Sequence, residues 1–111
     1  MGDWGVAPWD NDYAADWYHH LFKQTKLAEY IGETLQLNVE EHADTIRAAA
    51  HILGCLGRVY IWPGERLSSD LSLAVIKLKE IKNQFQEDGY SDDLIAELDK
   101  EIAALEQRNR Y

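Results

Sequence analysis

The chain has 111 residues and a mass of 12.8 kDa, one domain's worth at roughly 100–150 residues. Its 46% apolar residues, with 4 Trp, 6 Tyr and 2 Phe, supply one core and exclude disorder over most of the length. Eleven Lys and Arg against 20 Asp and Glu leave a net charge of -9, which opposes binding to a nucleic-acid backbone.

Residues 1–10 open the chain as an aromatic arm. Trp4 and Trp9 lie among Gly2, Gly5 and Pro8, residues that favour turns and extended backbone over helix. An indole buries about 150–250 Å² when packed. The expectation is an ordered, non-helical arm that Trp4 and Trp9 pin onto the rest of a single domain spanning 1–111.

From residue 11 the pattern is helical. Asp10, Asn11 or Asp12 can cap a first helix carrying Trp17, Leu21 and Phe22, and Ala28, Ile31 and Leu35 continue at helical spacing. Two helices with a bend at Lys23-Gln24 fit this stretch. Asn38 followed by Glu41 reads as a capping box. It opens a helix on Val39, Ala43, Ile46, Ala50 and Leu53 that ends near Gly57. Ala48, Ala49, Ala50, Gly54, Cys55 and Gly57 leave one side of this helix thin enough for a neighbour to approach closely. Val59 to Trp62 is the one β-like run, and a lone short strand has nothing to pair with.

The second half is the most regular. Leu71, Ala74, Leu78, Ile81 and Phe85 alternate steps of three and four, with Ser68 or Ser69 as the expected cap and Asp88-Gly89 as the stop. Ser91 then caps a final helix on Leu94, Leu98, Ile102 and Leu105, with Asp92 and Asp93 at its positive end. The short connection makes these two helices an antiparallel hairpin. The expected fold is an all-α bundle of four or five helices behind the Trp-rich arm.

The opening motif resembles that of a known family. Gly2, Trp4, Gly5, Trp9, Asn11, Asp12, Ala14, Asp16 and Trp17 resemble the start of the small bacterial proteins grouped as domain of unknown function 4259. The Ala-rich stretch from Arg47 to Gly57 is similar to that family's middle helix, so the likeness covers about the first half of the chain. The resemblance implies a compact, mainly helical bacterial protein, and it carries over no catalytic residues.

Few residues invite chemistry. Asp12, Asp16 and His19 or His20 share a helix face and could serve a metal ion. The structural reading makes Asn11 or Asp12 a cap and Asp16 an acceptor for the arm. No Glu-x-x-His pair of a di-iron bundle occurs, and no cofactor is implied. Glu97 and Glu101 read as a solvated face beside Lys100. Cys55, the single cysteine, rules out an intrachain disulfide and reads as a buried, inert thiol. Tyr60 and Trp62 either close one end of the bundle or, flanked by Arg58 and Arg66, form an interface hot spot.

No apolar run approaches the roughly 18 residues of a membrane span, and the first residues show no basic-then-apolar pattern, so a secretory signal is not expected. These features point to a cytoplasmic, non-enzymatic interaction protein whose acidic field suits a basic protein partner. An immunity- or antitoxin-like protein is one such case. The alternative is a small metal-dependent enzyme or metal-binding protein using Asp12, Asp16 and His19 or His20. A third option is self-association through the Leu71–Phe85 and Leu94–Leu105 stripes.

Overall fold

A computed structural model describes residues 5–108. It consists of five helices, α1 Asp12–Thr25, α2 Leu27–Leu35, α3 Val39–Leu56, α4 Gly64–Glu87 and α5 Asp92–Arg108. The all-α bundle expected from the sequence is the fold found. Helix α4 is its axis, packing against α2, α3 and α5, while α1 lies against α2.

Local chemistry accounts for most of the boundaries. Asn11 accepts the Ala14 amide at 2.8 Å and starts α1. The expected bend falls slightly later, at Lys26, whose φ of 55° puts it in the left-handed region. Thr25 sets up the restart, its Oγ1 accepting the Leu27 amide at 3.3 Å. Asn38 accepts the amides of Glu40 and Glu41 at 2.7 and 3.4 Å. The Glu41 carboxylate lies 4.0 Å from His42 Nε2, and His42 itself leaves helical geometry.

Helix α4 begins earlier than its stripe suggests. Its N-cap is Pro63, so Ser68 and Ser69 lie inside the helix instead of capping it. Ser69 Oγ donates to the Arg66 carbonyl at 3.1 Å. The extra turn has a physical basis. Glu65 sits at the positive end of the helix dipole, and Arg66 and Asp70 form an i,i+4 ion pair at 3.2 Å.

At the other end, the Gly89 amide donates to Gln86 O at 3.2 Å and the Tyr90 amide to Phe85 O at 3.0 Å. Gly89 takes φ 79°, and the Phe85 and Tyr90 rings pack at 4.4 Å. Together these make a Schellman stop with its apolar clasp. Ser91 Oγ then accepts the Leu94 amide at 3.3 Å and opens α5.

The stripes meet in one core. Leu71, Ala74, Leu78, Ile81 and Phe85 of α4 are buried with Leu98, Ile102 and Leu105 of α5 and Ile46, Ala50 and Leu53 of α3. The two stripes considered for self-association are therefore spent inside the chain. The thin side of α3 receives α5, whose Leu105 Cδ2 would lie 3.9 Å from a Cβ placed on Gly54. Ion pairs stitch the helix seams: Lys82–Asp99 at 2.6 Å and Lys79–Glu106 at 3.2 Å between α4 and α5. Arg47 binds Glu101 through two hydrogen bonds of 2.9 and 2.6 Å across α3 and α5. Glu101 is thus half-buried and paired, a correction to its reading as solvated face, and its hydrogen bonds raise the Arg47 pKa.

The segment 58–63 is a turn and not a strand. Ile61 and Trp62 amides both donate to the Arg58 carbonyl, at 3.1 and 3.0 Å. Trp62 is 2% exposed. Its Nε1 donates to Asp70 Oδ2 at 2.8 Å, and its ring meets Phe22 edge to face at 5.2 Å. Arg66 donates to the same carboxylate at 3.2 and 3.4 Å. A Cβ on Gly32 would collide with Arg66 Nη2, so a glycine lets that guanidinium lie against α2.

Of the two indoles expected to hold the arm, Trp9 is half-buried against the core and lies under Arg58, whose guanidinium carbon is 4.5 Å from the ring centroid. Trp4 and Gly2 lie outside the described residues. Asp10 folds residues 7–10 into a turn, its carboxylate accepting the Ala7 amide at 3.1 Å. Gly5 abuts that carboxylate, 2.6 Å from where a Cβ would stand.

Asp70→Ala strands the buried Trp62 indole N–H and the half-buried Arg66 guanidinium, each worth roughly 1–3 kcal/mol, and should lower unfolding free energy by about 3 kcal/mol in a denaturant titration. Trp62→Phe made in both backgrounds should show coupling above about 0.5 kcal/mol; additive losses would refute the shared carboxylate. Leu78→Ala, at a site with no exposure, should cost about 2–5 kcal/mol in the same titration.

Candidate functional site

Helix α1 presents two different faces. At about 100° per residue, Phe22 falls on the side opposite Tyr13 and faces the core, where it is buried. Tyr13 and Trp17, one turn apart, point outward and are 87% and 60% exposed. This corrects the expected Trp17–Leu21–Phe22 stripe. Trp17 does not face the core; Tyr18 packs there instead, touching the Trp17 ring at 5.3 Å. Asp12, Asp16, His19 and His20 are exposed on the same helix. Asp16, expected to accept hydrogen bonds from the arm, stands on the outer surface.

The outcome for the Tyr60–Trp62 pair is split. Trp62 is a core residue and is removed from any interface. Tyr60 is 60% exposed, with φ 72°. With Tyr60 exposed and Trp62 buried, the two rings do not form one surface patch. Tyr13 was missed in the sequence, although its i,i+4 spacing to Trp17 and its position opposite Phe22 mark an outward aromatic pair.

Among the described residues no group of three or more His, Cys, Asp or Glu is placed to hold a metal ion, so Asp12, Asp16, His19 and His20 do not converge as a donor set. Cys55 is exposed, which corrects its reading as a buried thiol. It lies on the outer side of α3, 3.6 Å from His51 Nε2.

Concave surface lies where α1, the 58–63 turn, the start of α4 and the end of α5 converge. A hollow of about 760 Å³ takes His19 and Lys23 from α1 and Arg66 from α4 into its wall. A second of about 590 Å³ lies between Trp9, Arg58 and Arg108. Val59, Tyr60, Leu67 and Arg108 line both. Arg108 donates to the Gly54 carbonyl; burial, and then the neighbouring Arg58 charge, lower its pKa.

No protein-family model, no curated protein and no solved structure matches the chain. Nor, among the described residues, is any helix long and apolar enough to cross a membrane.

Because its thiol is exposed, native protein should react with Ellman's reagent at one thiol per chain without denaturant. A native protein that reacts only after unfolding would contradict the placement of Cys55.

Proposed function

We propose that this is a non-enzymatic interaction domain that docks a basic protein partner on the outer face of α1. The observation that carries the reading is the pair Tyr13 and Trp17, exposed one turn apart with Asp12 and Asp16 beside them. Trp and Tyr are the residues most enriched in interface hot spots. A large indole left in water on a domain that has room for apolar core residues gains nothing for folding. The flanking carboxylates and the net charge of -9 supply the field that speeds encounter with a cationic surface.

An immunity- or antitoxin-like role is the specific form of this proposal, in a cytoplasmic setting. The motif of residues 2–17 supports kinship with the bacterial family it resembles. In the same reading the Trp-rich arm is scaffold, with Trp9 against the core as its support.

The test uses immobilised full-length chain to capture protein from the source organism at low and high salt, in parallel with Trp17→Ala. A partner should bind the parent chain, weaken at high salt, and be lost by about 30-fold or more in the variant, the scale of a hot-spot residue at roughly 2 kcal/mol. Thermal melting should change by less than about 1 kcal/mol, since the site is exposed. Capture of nothing, or equal capture by the variant, would refute the proposal.

A further inference from the structure

Of the four described arginines of this acidic chain, two are paired with carboxylates and two are not. Arg47, Arg66, Lys79 and Lys82 each meet a carboxylate within 3.2 Å. Arg58 and Arg108 do not: among the described residues neither has a carboxylate at ion-pair distance. They stand instead in the wall of the same hollow of about 590 Å³, a size within the 300–1,000 Å³ common for small-molecule sites. Two guanidiniums sharing one recess repel each other, and Asp10, the acidic residue described in the same wall, pairs with neither.

We propose that this cleft binds a small organic monoanion, its acid group held between Arg58 and Arg108 and its apolar body laid against Trp9, Tyr60 and Leu67. Both guanidiniums are positioned in advance. Arg58 lies over the Trp9 ring at 4.5 Å, and Arg108 is tethered to the Gly54 carbonyl. Each keeps further N–H donors for an acid oxygen, because guanidinium carries five. Among the described residues the remaining charged side chain in the hollow is Asp10, whose Oδ2 accepts the Ala7 amide. Two guanidiniums and one carboxylate sum to a single positive charge, which one negative charge neutralises and two would exceed. The wall of Trp9, Val59, Tyr60 and Leu67 gives the recess an apolar side that a bare inorganic anion would leave in water. Burial and the Arg58 charge both disfavour the Arg108 cation; an anion seated between the two relieves the second effect. The site is separate from the Tyr13–Trp17 face, so either proposal can fail alone.

The experiment is an amide-NMR titration of the full chain with benzoate, 3-phenylpropionate, neutral benzamide and inorganic phosphate. At least one of the two aromatic acids should give saturable shifts at Gly57, Arg58, Tyr60 and Arg108. Benzamide and inorganic phosphate should each bind about tenfold more weakly or less, lacking the charge or the body. Arg58→Gln and Arg108→Gln should each weaken the acid by about tenfold, and Lys100→Gln should leave it unchanged. The amide spectrum of each variant reports its folding, and Arg58→Gln serves if Arg108→Gln loses the Gly54 tether and unfolds. Saturable shifts from neither acid at tens of millimolar, inorganic phosphate matching the acids, or shifts that persist in folded Arg58→Gln would each overturn the proposal.

Discussion

The arrangement of the bundle turns on one buried carboxylate. Asp70, 5% exposed on α4, takes the Trp62 indole N–H and two N–H groups of Arg66. A buried indole needs an acceptor for its N–H, and a buried carboxylate needs donors and a countercharge. Each of the three residues therefore makes the burial of the others tolerable. Through the Trp62 ring the cluster reaches Phe22 on α1, and through Arg66 it presses against Gly32 on α2. One polar knot thus places the first two helices and the 58–63 turn relative to α4. Apolar stripes alone, being non-directional, would leave that register free to slide.

Elsewhere the core is held by bulk and the seams by charge. The α4–α5 hairpin combines buried leucines and isoleucines with a stop signal at Gly89 and a capping serine at Ser91. Its two lysine–carboxylate pairs lie at the margin, where exposed ion pairs contribute little to stability. Their value is in setting which charges remain unpaired. With Lys79, Lys82 and Arg47 engaged, the outer faces keep an excess of acid. Arg58, in the turn after α3, and Arg108, at the end of α5, are left lining one hollow. An acidic exterior with an outward aromatic pair, and a small basic recess, are the two surfaces on which function is proposed.

The regular parts of this molecule were legible in the residues. Leu71 to Phe85 and Leu94 to Leu105 announce their helices through spacing, and Asn11, Asn38 and Ser91 announce starts through local hydrogen bonding. Trp17 was misread because periodicity assigns a large aromatic to the core by default. On α1, Phe22 and Tyr18 already fill that side, so the indole faces water. Cys55 failed for a related reason: a small residue among alanines and glycines carries no mark of which side of the helix it is on. Glu101 looked like ordinary acidic surface because its partner, Arg47, is on another helix.

What the amino-acid order settled by itself was whatever depends on neighbours within a few positions: helix identity, caps, the glycine stop, the acid-rich balance, and the lack of strand pairing for 59–62. What the tertiary structure alone decided was every pairing over longer separation. Trp62 went inward while Tyr60 stayed out, Arg47 found Glu101 some fifty-four positions away, and Arg58 came to share a recess with Arg108. The reason is physical. Turns and caps close through local hydrogen bonds, whereas burial and ion pairing depend on which helix faces meet, and that choice is made by the whole core at once.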